Sequence, residues 1–231
     1  KKISFSIHKK SKIQAINISQ NNNSLKFDLN YYGDIFPITL KFSGYFNVYN
    51  ILGVVGCLSS KGFEIKKIID SLKSIKAVPG RSEYIRSDDS FPSVMIDYAH
   101  TSDALENILK SVKNNAFKKI LLVFGAGGDR YKGKRKAMAK IAEKLADQCI
   151  ITTDNPRHEN PIDIIKDISR HFNKTPIEII DRKEAICKAI EMANKDDLVI
   201  VAGKGNEEFQ EIGNQKNYFS DREVIENFLK E

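Results

Sequence analysis

Five short apolar runs in the last two thirds of the chain end in the same way. "SVMIDYA" (93–99), "KILLVFGAGG" (119–128), "QCIITTDNP" (148–156), "IEIID" (177–181) and "DLVIVAGKG" (197–205) each pass from aliphatic residues into Gly, Asp or Asn. Continuous apolar runs of this length, without polar alternation, suit strands buried on both faces. Segments with helical apolar spacing alternate with them, near 103–115, 134–146, 161–171 and 182–194, and a last one at 221–230. Strands alternating with helices predict an α/β fold with a mostly parallel sheet. In open sheets of this kind ligands bind beyond the carboxyl ends of the strands. The polar tails "DYAH", "GAGGDR", "TDNPR" and "GKGNEE" are therefore expected on one rim.

The start of the chain reads differently. "ISFSI", "IQAINI", "LKFDL" and "FPITLKF" alternate apolar and polar residues, with "QNNNS" and "YYGD" as turns between them, which predicts an antiparallel β-meander. Helices are expected over Phe46–Leu58 and about Ile65–Ile75. "VPGRSE" (Val78–Glu83) then combines Pro and Gly, a turn or linker signal, and places a domain boundary near residue 77. The 231 residues suffice for two small cores, here 1–77 and 78–231.

The bulk numbers exclude several classes. Hydrophobic content of 41% and charged content of 29% describe an ordinary soluble globular protein, and no apolar run is long enough to cross a bilayer. The basic opening "KKISFSIHKKSK" is followed by no apolar signal region, so no export and a cytoplasmic location are expected. Cys57, Cys149 and Cys187 form no CxxC pair and read as reduced thiols. Net charge is +7, but the lysines are spread along the chain without an RNA-binding signature, which argues against nucleic acid and suits an anionic small substrate. His8, His158 and His171 have no metal-ligand spacing, so no metal site is expected on this chain. No GxSxG elbow supports a Ser-His-Asp hydrolase.

"GAGGDRYKGKR" (Gly125–Arg135) contains the front of a phosphate loop, Gly128-x-x-x-x-Gly133-Lys134, but Arg135 stands where a Ser or Thr would ligate magnesium. Its cations Arg130, Lys132, Lys134 and Arg135 suit a carboxylate at least as well as a phosphate, because a guanidinium can fork onto two oxygens. In "TDNPR", Pro156 stiffens a turn whose Asp154, Asn155 and Arg157 can together hold an amine and a carboxylate. In "VAGKGNEEFQ", Gly203 and Gly205 permit close backbone approach and Glu207 can accept from an ammonium. In "DYAH", Asp97 can take ribose hydroxyls, and His100 can cap, stack or contact phosphate. Asn47 and Asn50, at i and i+3 of the first helix, present two carboxamides that can read an adenine edge. The plain alternative at each position is a turn, a cap or a solvated side chain.

Taken in order, "GYFNVYNILG", "VPGRSE", "DYAHTSDALENIL", "VFGAGGDRYKGKRKAM", "TTDNPR", "VAGKGNEEFQ" and "SDREV" resemble the Mur ligases of peptidoglycan synthesis. Within that family the resemblance is to those adding meso-diaminopimelate to UDP-N-acetylmuramoyl-L-alanyl-D-glutamate. It covers most of the chain from residue 44 onward. It implies a Rossmann-like amino-acid-binding domain over 78–231, preceded over 1–77 by the end of a central ATP-binding domain. It also implies amide formation through an acyl phosphate, with ATP and Mg2+ held mainly by a part of the family's length not seen in this sequence. The expected partners are the UDP-sugar dipeptide and diaminopimelate, on a monomer. The resemblance assigns Arg130, Asp154, Asn155, Pro156, Arg157, Gly203 and Glu207 to diaminopimelate, and Asn47, Asn50, Arg81, Asp97 and His100 to the ATP cleft. Arg157 would pair with the second carboxylate that lysine lacks.

The departures are specific. The family's GTNGKT-type phosphate loop, its magnesium ligands and its carbamylated lysine are absent, so no catalytic residue is assigned and the 231 residues are expected not to turn over ATP. Asn206 replaces the usual His, Ser102 the usual Pro and Tyr131 the usual Asp of the family motifs. The competing readings are a non-catalytic gene remnant or binding module, and a related amide ligase with another acceptor, such as a folylpolyglutamate synthase.

Overall fold

A computed structural model describes residues 2–21, 24–42, 44–85, 91–113 and 117–230. The turn "QNNNS" and the end of the helix expected over 103–115 lie partly outside the described residues. The chain divides into two compact units, Lys1–Ala77 and Val78–Glu231.

The first unit is a four-stranded sheet in the order β1 (Phe5–Ser6), β2 (Ile13–Asn21), β3 (Ser24–Tyr31), β4 (Asp34–Leu40), followed by helices α1 (Phe46–Ser60) and α2 (Ile65–Leu72). Period-2 alternation turns Ile13, Ala15, Leu25, Phe27, Leu29, Ile38 and Leu40 inward, where they meet Val48, Ile51, Leu52 and Val55 of α1 and Ile68, Ile69 and Leu72 of α2. Pro37 sits in β4, which bonds only to β3, so its missing N–H costs no ladder bond on the open side. The antiparallel expectation holds for β2–β4 but not for β1, which pairs parallel to β2. The reason is local. The Ser6 hydroxyl accepts from the N–H groups of His8 and Lys9, and the intervening residues carry the chain back to its starting end instead of reversing it.

The second unit holds a six-stranded sheet. Its strands are β5 (Glu83–Ile85), β6 (Ser93–Asp97), β7 (Ile120–Phe124), β8 (Gln148–Ile151), β9 (Ile177–Glu178) and β10 (Leu198–Ala202), in the spatial order β5-β6-β10-β7-β8-β9. All neighbours are parallel except the β5–β6 edge pair. Every residue of β7 and β10 is buried, as unbroken apolar runs between two helix layers should be. One layer is α6 (Arg182–Met192) and α7 (Asp221–Phe228), packed on Val94, Leu121, Val123, Ile150, Val199 and Val201. In the other, α3 (Ser102–Lys113), α4 (Gly133–Leu145) and α5 (Pro161–Ser169) pack side by side. A small antiparallel hairpin, β11 (Phe209–Ile212) and β12 (Gln215–Tyr218), completes the unit.

Register places the site. Ala202 pairs with Asp97, Val201 with Val123, and Phe124 with Ile151, so β6, β10, β7 and β8 end level with one another. The loops that follow them leave from one edge of the sheet.

Candidate functional site

The loops on this edge interlock through glycine. Gly128 donates its N–H to the Asn155 carbonyl at 2.9 Å, and a Cβ there would lie 1.9 Å from the Pro156 carbonyl oxygen. No other residue allows "GAGGDR" and "TDNPR" to approach this closely. Gly80 has φ +69°, and a Cβ on it would lie 2.2 Å from the Asn206 nitrogen, so "VPGRSE" packs directly on "GKGNEE". Ser102, standing where proline is usual, opens α3 at a position where the N–H has no helical acceptor. The hydroxyl of the preceding Thr101 accepts from the Ala104 N–H at 3.3 Å, so the helix start is intact.

These loops enclose a cavity of about 130 Å3 lined by Tyr98, His100, Gly127, Arg130, Lys134, Asp154, Asn155, Arg157, Gly203 and Glu207. Every residue that the sequence assigns to diaminopimelate is in this list except Pro156, whose carbonyl faces Gly128. His100, assigned to the ATP cleft, lines it too. Lys134, one of the four loop cations, lines it as well, and Tyr98 is there without having been singled out.

The four cations of "DRYKGKR" divide in two. Arg130 is exposed and lines the cavity, and Lys134 is half-buried beside it. Burial lowers the pKa of Lys134; Asp154 opposes this, while the neighbouring arginines 135, 130 and 157 reinforce it. Arg135 points the other way. Its side chain is 3% exposed and bonds Glu159 at 3.0 Å and Asp167 at 3.0 Å. Lys132 also reaches Glu159, at 3.3 Å. The expectation of a four-cation anion loop is thereby corrected: Arg135 and Lys132 face acids of the fold, which leaves Arg130 and Lys134 for a ligand.

Arg157 is held by backbone and side chain. It has φ +51°, a left-handed conformation that costs a non-glycine residue about 1 kcal/mol or more. Its N–H donates to the Glu211 carbonyl at 3.0 Å, and its carbonyl accepts from the Gly213 N–H at 2.7 Å. Nε pairs with Glu211 Oε2 at 2.8 Å and Nη1 donates to the Gly128 carbonyl at 3.0 Å. The next residue adds an outer clasp. His158 Nδ1 bonds Asp129 Oδ2 at 2.7 Å, and Nε2 bonds Asn214 Oδ1 at 3.0 Å. The Asp129 hydrogen bond, followed by that to Asn214, raises the His158 pKa.

Behind the cavity lie two buried cations that the sequence reading passed over. The Lys204 side chain is fully buried, and Nζ donates to Asn155 Oδ1 at 2.9 Å and Glu207 Oε2 at 3.3 Å. Arg182, also fully buried, forks onto Asp221 with two 2.8 Å bonds and donates to the Ala202 carbonyl at 3.1 Å, tying α6 and α7 to the end of β10. Burial opposes its charge, but Asp221, with smaller contributions from Asp154 and Glu207, offsets this, and the Arg182 pKa is raised. A lysine between two glycines after a buried strand was the available signal for the first. Nothing local marked the second.

The residues assigned to ATP are divided between the two units. Asn47 and Asn50 lie on α1 of the first unit, where Asn50 Nδ2 donates to Asn47 Oδ1 at 3.2 Å. In the second unit, Arg81 lies 4.4 Å over the Tyr98 ring, and His100 Nδ1 bonds the Tyr98 carbonyl at 2.9 Å. Asp97 is buried. Oδ2 accepts from the Ser82 N–H at 2.7 Å and Oδ1 from the Ala99 N–H at 2.8 Å, while burial raises its pKa. Both of its oxygens thus serve the "VPGRSE" and "DYAH" loops. Among the described residues no group of three or more His, Cys, Asp or Glu is placed to hold a metal ion, and no helix is long and apolar enough to cross a membrane.

The family model described as "Mur ligase, glutamate ligase domain" matches residues 80–205. UDP-N-acetylmuramoyl-L-alanyl-D-glutamate–2,6-diaminopimelate ligase 1 of Clostridium acetobutylicum is 40% identical over 100% of this chain and 48% of its own length. The ligase of that name from Clostridium perfringens is 41% identical over 98% of this chain and 47% of its own. A solved structure of a UDP-N-acetylmuramoyl-L-alanyl-D-glutamate–2,6-diaminopimelate ligase superposes with TM-score 0.68 at 31% identity, covering 99% of this chain and 47% of that one. The chain spans about half the length of the curated relatives it matches.

Proposed function

The chain belongs to the Mur ligase family, and from that membership we propose that it supplies the acceptor-binding part of an ATP-dependent cytoplasmic ligase that joins meso-diaminopimelate to UDP-N-acetylmuramoyl-L-alanyl-D-glutamate. One observation carries the reading: a single small cavity presents Arg130, Lys134 and Arg157 together with Asp154 and Glu207. An acceptor with ammonium and carboxylate groups at both ends needs charges of both signs in one place, held without reorganisation. In this reading Arg130 and Lys134 take one carboxylate and Arg157 the other. Asp154 and Glu207 take an ammonium. The acids fix the end of the acceptor that stays unreactive, so that its other amine is directed out of the cavity toward the activated carboxylate.

ATP would activate that carboxylate as an acyl phosphate, and the chemistry belongs to a protein that includes the other half of the relatives' length. Of the nucleotide-side residues, Arg81 offers an exposed cation on an aromatic face, which suits a phosphate or a base. Asp97 fits less well than its motif suggested, since its oxygens already accept from backbone. Magnesium is assigned to the part not spanned here. The 231-residue chain is read as a monomer that binds acceptor and does not release phosphate from ATP.

Calorimetric titration of this chain with meso-diaminopimelate and with L-lysine tests the reading. Diaminopimelate should bind at least about tenfold more tightly, one charge-assisted contact's worth. Arg157→Ala should bring the two together. Equal affinities in the unaltered chain would sink the acceptor assignment.

A further inference from the structure

We infer that Lys204, which no contact with the acceptor requires, is a positioning residue that fixes which oxygen of Glu207 meets the acceptor's ammonium; the inference rests on the acceptor reading above. The ammonium of Lys204 has three protons and three protein partners. Two are Asn155 Oδ1 at 2.9 Å and Glu207 Oε2 at 3.3 Å, and the third is the face of Phe209, with Nζ 5.7 Å from the ring centroid. A fully buried lysine is tolerated only with such satisfaction. The compact ammonium suits three divergent partners, whereas the planar fork of an arginine would not.

The same contacts settle the orientation of Asn155. Oδ1 accepts from Lys204 Nζ and from the Glu211 N–H at 3.0 Å, so the amide nitrogen must face the other way. There Nδ2 donates to Glu207 Oε2 at 3.0 Å. Lys204 and Asn155 thus converge on one oxygen of Glu207, and Oε1 is left free of both donors. Asn155, assigned to the acceptor from the sequence, has its carbonyl oxygen doubly occupied and can offer a ligand only its second N–H. Without Lys204, the amide loses the donor that sets its orientation, and Glu207 loses one of the bonds that hold its carboxylate, keeping those from Asn155 and the Tyr98 hydroxyl.

A double-mutant cycle on the 231-residue chain tests this, with meso-diaminopimelate as ligand and calorimetry as the readout. Lys204→Met should weaken binding about tenfold, and Glu207→Gln by a similar factor. If Lys204 acts through Glu207, the double variant should bind within about twofold of Glu207→Gln alone. A merely structural role predicts instead that the two losses multiply, and that result overturns the inference, as does unchanged binding by Lys204→Met. Lys204→Gln retains an N–H donor and should fall between the unaltered chain and Lys204→Met. It also replaces Lys204→Met in the cycle if the latter shows no cooperative thermal transition. Absence of binding by the unaltered chain overturns the acceptor reading, and this inference with it. Normal binding by the unaltered chain with an additive cycle overturns this inference alone.

Discussion

Arg130 and Arg135 are five residues apart in one loop, yet they have opposite surroundings. Arg130 is exposed and lines the cavity, which Lys134 and Arg157 share with Asp154 and Glu207. Arg135 is 2% exposed and lies between two carboxylates of the fold. Lys204 and Arg182 behave as Arg135 does. The difference separates two uses of positive charge. A fully buried cation whose acids come from the fold is structural, because removing it strands buried carboxylates, whereas the partly exposed Arg157 pairs with Glu211 and still lines the cavity. A cation short of acids can only be satisfied by water or by a ligand, and that makes the arginine with fewer contacts the better binding residue.

The largest expected effect lies at the fully buried pair. Asp221→Asn leaves Arg182 buried with half its partner, and should cost about 3–5 kcal/mol in urea unfolding. A loss under about 1 kcal/mol would show that the carbonyls of Ala202 and Thr153 suffice for the guanidinium. The loop itself gives a sharper contrast. Arg135→Ala should lower stability by about 2 kcal/mol and leave acceptor affinity of the folded fraction unchanged. Arg130→Ala should change stability by less than about 0.5 kcal/mol but reduce acceptor binding by about 1.5–3 kcal/mol. Melting curves and titrations on both variants decide it, and a swap of the two phenotypes would invert the assignment.

The smallest effect is at the exposed clasp. Because Asp129 and Asn214 raise the His158 pKa above its ordinary 6.5, the clasp contributes fully below about pH 6.5. Its contribution is lost as pH rises through the higher folded value. Imidazole NMR should place the midpoint above 6.5 in the folded chain, and Asp129→Asn should bring it down. A midpoint that ignores that substitution would remove the clasp from the account.

Much of this was legible in the sequence, and the limits have physical causes. Apolar runs ending in polar tails gave the parallel sheet and its rim, because burial on both faces dictates that pattern. The cluster Asp154, Asn155, Arg157 and Glu207 was legible because each residue sits just past a strand end. What could not be read was direction. Whether Arg135 turns inward depends on Glu159 and Asp167, 24 and 32 residues further along the chain. Lys204 turns inward because Asn155, 49 residues away, offers an acceptor. Composition treats all of these as surface charge, and only the tertiary contacts distinguish them. The parallel β1 was missed for a related reason, since alternation reports which faces are buried and not which way the chain runs.

The hairpin β11–β12 has a consequence for anyone redesigning the acceptor preference. Arg157 takes its left-handed backbone from Glu211 and Gly213, and its side chain is steered by Glu211 again. On the proposed acceptor reading, selectivity is therefore stored in two segments more than fifty positions apart, as judged from Asn155 and the Glu211 N–H it receives. Transplanting "TDNPR" into a relative with a different hairpin would move the arginine without its orientation. A transferable specificity module would have to include Phe209–Tyr218 as well.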